Sequence, residues 1–393
     1  MKLDSLFSPD ATKKISLGLD IGTSSIKVLT TTSASGRITI RDAISIPLPL
    51  DLIKNGVVLN PKQLGQIIRD RLTDYDLASA VGGFSVPSQV AAIKWIALPN
   101  IPANEIRSAA RFKVRKHLPF PVDDAYIETM GVAEEDAGQG ETLVIAVPKR
   151  VIESRAEALE HAGVAPITAE IEPFAIMRLI DRQLRDRIAL WRNASLTIID
   201  IGGTATHMYV VQGQNLQFIR SVPFGSNHIS ASIAKQFDVS PEAARTALSK
   251  HGAAISRDGA LSIEVDGQHL IAGQAQEFNV LIREFSRLIR YFRSLHPERS
   301  YGGILDQTVL SGGLSGLNGL SEYLGKSLSL RIEVAQPFKG FLTDVSTQGF
   351  KELSSHGKAY TVAGGLALAC AHATNTFKGG KYHERHFEWH RVA

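Results

Sequence analysis

The sequence is short of cysteine, of long apolar runs and of any one-signed charge excess, and each shortage closes a class of function. The single cysteine, Cys370, sits in the apolar run Ala363 to Ala371, so neither a disulfide framework nor a cysteine-based zinc site can form within one chain. A reducing compartment is expected. No apolar run reaches the length of a membrane span, and the first residues, MKLDSLFSPDATKK, carry charges and a proline where a signal peptide needs an uninterrupted apolar segment. The expected location is the cytoplasm. Lys+Arg 43 against Asp+Glu 39 leaves a net charge of only +4, which describes a mixed surface and gives no nucleic-acid footprint. What is present is core-forming material. The chain has 393 residues, 44% of them hydrophobic and 21% charged, so two lobes with separate cores are expected.

The first lobe opens with a meander. Strand-like segments at Ile15 to Ile21, Ile26 to Thr32 and Arg37 to Ile46 are separated by turns at Gly22-Thr23 and Ser35-Gly36. A helix starting at Pro61 follows, with Leu64, Ile67, Ile68 and Leu72 at spacings of three and four. The same order returns later: Leu196 to Ile201, a turn at Gly202-Gly203, His207 to Val211, a turn at Gly213, Leu216 to Val222, and a helix over Asn227 to Phe237. Both meanders place an Asp-Ile-Gly turn after their first strand, at Asp20 and at Asp200, with hydroxyl residues directly behind the glycines. One such turn is an ordinary tight turn. Two, at matching positions in matching meanders, indicate a duplicated architecture.

Residues 85–165 differ in character and read as an inserted subdomain. They hold an apolar strand Val90 to Leu98, a basic helix Ala103 to His117, the rigid Leu118-Pro119-Phe120-Pro121, and a strand Thr142 to Val147 leading into a helix from Lys149. The cations Arg111, Lys113, Arg115 and Lys116 suit a solvated helix face or an anionic neighbour. Further on, Phe278, Leu281, Ile282, Phe285, Leu288, Ile289 and Phe292 form a core stripe. Thr308 to Leu314 reads as a strand entering a glycine turn at Gly312-Gly313, followed by a helix Leu317 to Leu328. That context lets backbone approach a ligand closely, and it equally suits a plain helix cap. The His-rich tail 372–393 is expected to fray, and the spacing of His383, His386 and His390 on no fixed scaffold makes a poor metal site.

The glycine turns resemble the nucleotide cleft of the actin, hexokinase and heat-shock-chaperone superfamily. Within it the chain is similar to the PilM family of type IV pilus assembly proteins, relatives of the division protein FtsA. The marks are GLDIGTSSIKV, IPANEIRSAARFKVRKHLPFPVDDAYIET, VIAVPKRVIESRAEALEHAGVAPITAEIEPFA, IIDIGGTATHMYVVQGQNLQFIRSVPFG, and VLSGGLSGLNGLSEYLGKSL leading to VAQPF. The resemblance implies an α/β, two-lobed actin-like ATPase fold of duplicated ribonuclease-H-like lobes, with an inserted α+β subdomain in the first. It divides the chain into a flexible start at 1–14, a first lobe at 15–84 and 166–190, the insertion at 85–165, and a second lobe at 191–371 whose smaller part is about 238–300.

The resemblance also implies sites. Backbone and hydroxyl groups of Gly22, Thr23, Ser24, Gly202, Gly203, Thr204, Gly312 and Gly313 would face the phosphates of ATP, and Asp20 and Asp200 would hold Mg2+ through water. Lys27 would reach back to the phosphates, although a solvated strand-end lysine fits the same position. Glu172, in the Glu-Pro that opens the connecting helix, would position water for a slow ATPase, and a helix-start carboxylate gives the same sequence. The implied partner is the N-terminal peptide of a PilN-like membrane protein, with other inner-membrane platform proteins beyond it. The protein would be peripheral to the inner membrane only through that partner. Arg111, Phe112 and Arg115 are candidates for the peptide groove, but helix spacing favours a core place for Phe112.

Two departures stand out. Gly225-Ser226 replaces the family's Gly-Gly, and Arg245 and Leu248 stand where relatives carry the Glu and Lys that contact the nucleoside. A nucleotide-independent scaffold is therefore an alternative, and an FtsA-like or secretion-system relative is another. A small-molecule kinase would need a general base, and the inserted segment has no Asp in a glycine-rich loop to serve. Phe387 and Trp389 are two residues apart and cannot share the face of a membrane-binding helix.

Overall fold

The computed structural model describes residues 15–34, 37–49, 51–73, 80–99, 101–130, 139–188, 195–212, 215–249, 253–274, 276–295 and 307–376. The turns read at Ser35-Gly36 and Gly213, residues 1–14 and the tail beyond 376 lie outside them.

The chain divides into two compact units. The first comprises Met1–Arg178, Phe341–Gly349 and Val362–Ala393; the second comprises Leu179–Gly340 and Phe350–Thr361. The first unit opens with strands β1 (Ile15–Ile21), β2 (Ser25–Ala34) and β3 (Arg37–Pro47), a small hairpin β4 (Ile53–Lys54) and β5 (Val57–Val58), helix α1 (Pro61–Arg71) and β6 (Val81–Val86). Asn60 caps α1 by accepting from the Gln63 amide, and Pro61 occupies the first turn. Leu64, Ile68 and Leu72 are buried, so the spacing of three and four becomes one packed face.

Strands β7 (Ala92–Pro99), β8 (Ala125–Met130) and β9 (Gln139–Pro148) form the inserted antiparallel sheet in the order β7-β9-β8, with helix α2 (Ala103–Val114) against it. The core of this part is Leu98, Ala110, Val114, Ile127, Val144 and Ala146. Expected boundaries shift slightly. Ser88–Val90 is a turn before the strand, and the expected helix end at His117 tightens into a separate turn, Arg115–His117. Helix α3 (Lys149–Ala162), β10 (Ala165–Ile171) and α4 (Glu172–Ile188) follow. Sequence assigns α3 to the insertion, but it packs on α1, where Gly65 sits against Ala158 and His161. Its residues Val151, Ile152, Ala156 and Leu159 are buried.

The second unit repeats the meander with β11 (Ser195–Ile201), β12 (Thr206–Gln212) and β13 (Asn215–Val222), then α5 (Ser226–Phe237) and α6 (Pro241–Ser249). Its small sheet of β14 (Ala254–Ile255), β15 (Ala260–Val265) and β16 (Gln268–Gln274) is followed by α7 (Gln276–Leu295), β17 (Gln307–Ser311), α8 (Leu320–Leu328) and β18 (Ile332–Val334). One continuous cluster, from Ile199 and Phe218 to Phe278 and Leu324, joins the small sheet to the main one. The expected helix start at Leu317 moves to Leu320, because Gly313–Gly316 forms a turn of its own first.

Strand β19 (Leu342–Thr343) returns to the first unit's sheet, and α9 (Thr347–His356) and α10 (Thr361–Thr376) complete the described chain. The main sheets have the orders β10-β6-β1-β2-β3-β19 and β13-β12-β11-β17-β18. In each, the meander is antiparallel and the first strand pairs in parallel with the strand on its other side, β6 or β17. Two expected boundaries are corrected. The first unit's leading segment ends at Arg178, inside α4, and α10 belongs to the first unit although its sequence follows the second. The cause is visible at Arg178, which pairs with both oxygens of Glu170 at 2.6 and 2.7 Å and donates to the carbonyl of Gly365 in α10 at 3.1 Å. Residues 372–376, expected to fray, instead belong to α10, which continues to Thr376. Among the described residues no helix is long and apolar enough to cross a membrane.

Candidate functional site

Each unit carries one half-site at the end of its first strand, and the two are built alike. In the first, Asp20 lies opposite Lys27 across β1 and β2, and Lys27 lies opposite Ser45 on β3. The Lys27 ammonium donates to the Ser45 hydroxyl at 2.5 Å, which replaces a solvated lysine by a held one. The turn is tied by Gly22 N–H to the Ser25 carbonyl at 3.1 Å and by Leu48 N–H to the Ser24 carbonyl at 3.0 Å. Thr23 stands exposed at its tip. On the parallel neighbour β6, the Ser85 hydroxyl accepts from Ile21 N–H at 3.0 Å.

In the second unit, Asp200 lies opposite His207, and His207 opposite Ser221, with Nδ1 of His207 2.8 Å from the Ser221 hydroxyl. Ser311 on β17 is the register partner of Asp200. Its hydroxyl is buried without a hydrogen-bond partner. Duplication therefore reaches the side chains: an aspartate, a basic residue and a serine run across the meander, with a second serine on the parallel strand.

Two glycines of the second half-site, Gly225 and Gly312, are needed where they stand. A Cβ on Gly225 would lie 2.4 Å from the Gly203 carbonyl oxygen. This close approach lets the start of α5 grip the turn, with Ser226 N–H on the Gly202 carbonyl at 3.0 Å and Asn227 N–H on the Gly203 carbonyl at 2.9 Å. Thr204 remains exposed. Gly312 has φ +87°, and a Cβ there would lie 2.4 Å from the Ile201 oxygen, so only glycine lets β17 turn beside β11. Gly313 is exposed after it.

Three residues that sequence reasoning passed over complete the first half-site: Ser85, Ser88 and Arg155. Arg155 is 0% exposed and donates to three carbonyls, Gly56 at 3.0 Å, Ile21 at 3.1 Å and Ser85 at 3.0 Å. A lone charge on the otherwise apolar face of α3 was the available signal. Glu172 opens α4 and accepts from Ser88 N–H at 3.2 Å and from its hydroxyl at 2.9 Å. Burial, then repulsion from Glu172, pushes Asp20 up from 3.8 to about 6, against the Ser85 hydrogen bond and the charges of Arg155 and Lys27. Burial pulls Arg155 down to about 10, while Glu172 and Asp20 hold it up. It stays cationic at neutral pH.

The shift of Asp20 predicts a pH signature. Its folded value exceeds its unfolded one, so the folded state binds the extra proton and this group's contribution to stability falls as pH rises from about 4 to about 6. Asp20→Asn should therefore gain stability relative to wild type across that window, by about 1–2 kcal/mol after allowance for partial exposure. Thermal melts of both proteins from pH 4 to 7 check it, and a constant gap between them would refute it.

The donor set fits a hydrated cation beside phosphate. Two mutually repelling carboxylates offer hard oxygens, which is what Mg2+ accepts while keeping its waters. Among the described residues no group of three or more His, Cys, Asp or Glu could hold a metal directly. Asp200, 8% exposed, would act the same way in its own half-site. The nucleoside end differs: Arg245 is exposed on α6, and Leu248 is committed to the core.

On the insertion, Phe112 is 80% exposed, which corrects the expected core place. Ala110 and Val114, four apart, define the buried face of α2, and a residue midway between them points to the opposite side at 100° per residue. Arg111 pairs with Asp123 at 2.7 Å, and Arg115 is exposed.

Two meander-plus-parallel sheets, each with an Asp-Ile-Gly turn at the end of its first strand, define the actin-like ATPase fold. A solved structure described as the PilM-PilN type IV pilus biogenesis complex matches it with TM-score 0.73 and 21% identity, covering 92% of this chain and 99% of that one. Weaker likenesses are MreB5 of Spiroplasma citri bound to AMPPNP, at TM-score 0.49 and 14% identity over 92% and 98% of the two chains, and the ethanolamine utilization protein EutJ from Carboxydothermus hydrogenoformans, at 0.47 and 17% over 90% and 89%. The chain belongs to the type IV pilus assembly protein PilM family, which matches residues 18–371.

Proposed function

We propose that this chain is a nucleotide-responsive assembly protein of the cytoplasmic side of the pilus platform, binding Mg-ATP at the Asp20 and Asp200 turns and the N-terminal tail of a PilN-like membrane protein at the inserted subdomain. The observation that carries the nucleotide half is the repeated aspartate-base-serine set behind each glycine turn. Gly22, Thr23, Ser24 and Lys27 would donate to phosphate in one half-site; Gly202, Gly203, Thr204, Gly312 and Gly313 would do so in the other. Asp20 and Asp200 would hold Mg2+ through water. When bound, the nucleotide supplies anionic charge and a divalent centre that favour one conformation over another. Glu172 is the candidate for orienting water, and its two hydrogen bonds from Ser88 make slow turnover the expectation.

The partner half is supported by family membership, by the solved complex of a relative with PilN, and by the exposed Phe112 among the cations of α2. The buried Leu248 favours a second reading, a scaffold that needs no nucleotide. Thermal melts separate the two. Saturating Mg-ATP should raise the melting temperature by about 3–8 °C, and Asp20→Ala should remove the shift. No shift in the wild-type protein would establish the scaffold.

A further inference from the structure

The inserted sheet joins the rest of its unit through two crossings, and polar groups of the Asp20 half-site hold both. The chain enters through Ser88–Val90, between β6 and β7, where Ser88 gives both its amide and its hydroxyl to Oε2 of Glu172. It leaves from β9, the central strand of the inserted sheet, directly into α3 at Lys149. Less than two turns along α3 stands Arg155, bonded to the carbonyls of Ile21 and Ser85. Ile21 is the last residue before the Gly22 turn, and its amide rests on the Ser85 hydroxyl.

Apolar packing alone does not call for a cation here; the three carbonyl partners of Arg155 do. A buried guanidinium costs several kcal/mol of desolvation, and Leu or Met would continue the apolar face of Val151, Ile152 and Leu159. One of its η nitrogens is buried with no hydrogen-bond partner, while the charges of Glu172 and Asp20 act on the group through space. The same carboxylate that pins the entry crossing thus sees the cation that pins the exit crossing, and both see Asp20.

We infer that Ser88-Glu172 and Arg155 are the transmitting contacts through which occupancy of the Asp20 turn sets the affinity of the inserted subdomain for its peptide. This rests on the proposed function and names its regulation. Oε2 of Glu172 can serve Ser88 or the cation side of the half-site, so a filled turn draws it from Ser88 and loosens the entry crossing. Arg155 keeps the exit crossing tied to the end of β1. The insertion then shifts about one held crossing.

The test is calorimetric titration of a synthetic peptide, the N-terminal cytoplasmic segment of the cognate PilN-like protein, with and without saturating Mg-ATP. In wild type the two dissociation constants should differ by about fivefold or more. Ser88→Ala, which removes the hydroxyl and leaves the amide, should bind both ligands with a ratio within about twofold of one, and Ser88→Thr, which restores the hydroxyl, should restore the ratio. A wild-type ratio of one with both ligands bound overturns this inference and leaves the proposed function standing. An unchanged ratio in Ser88→Ala overturns it too, as does loss of either ligand in a folded Ser88→Ala. Failure of wild type to bind either ligand removes the proposed function itself.

Discussion

Arg155→Met is expected to lower folding stability by about 3–5 kcal/mol, the cost of removing one partner from a buried charged network. Methionine matches the length of the arginine stem but leaves the carbonyls of Gly56, Ile21 and Ser85 without the donors they now have. Each orphaned buried acceptor costs about 1–3 kcal/mol. The carboxylates of Asp20 and Glu172 also lose a nearby cation, so Asp20 should titrate higher still. Urea unfolding of the variant measures the first effect. A loss under about 1 kcal/mol would mean that the three carbonyls find other donors and that Arg155 does not organise the half-site.

Under the proposed function, Phe112→Asp is expected to weaken binding of the partner peptide at least about 30-fold, because an exposed aromatic ring is replaced by a hydrated charge. Because the ring is 80% exposed, the melting temperature should stay within about a degree of wild type, as surface substitutions usually do. A fall of several degrees would return Phe112 to the core. Unchanged affinity with an unchanged melt would move the peptide contact elsewhere on the insertion.

Much of this was legible from local pattern. Alternating β-branched runs broken by glycine located both meanders to within a residue or two, since strand period and turn chemistry are local properties. The stripe from Phe278 to Phe292 likewise became the buried face of α7. What could not be read depended on distant contacts. Phe112 looks like core by residue type, and only the choice of Ala110 and Val114 as the packed face turns it outward. Helix α10 follows the second unit in sequence, yet the pair Glu170 and Arg178 ties it to the first. Arg155 interrupts the apolar face of α3, but its burial on the carbonyls of Gly56, Ile21 and Ser85 depends on where that helix packs. Ser45, Ser85, Ser221 and Ser311 carry no motif. They acquire meaning only when strand register sets them beside Lys27, Ile21, His207 and Asp200.

As an assembly protein the chain is proposed to take a membrane partner's tail at its insertion. Calorimetric titration of the wild-type protein with the N-terminal cytoplasmic peptide of its cognate PilN-like partner puts this to the test. Saturable heat at one peptide per chain is expected. Absence of heat across a wide range of concentration and at two temperatures would contradict it.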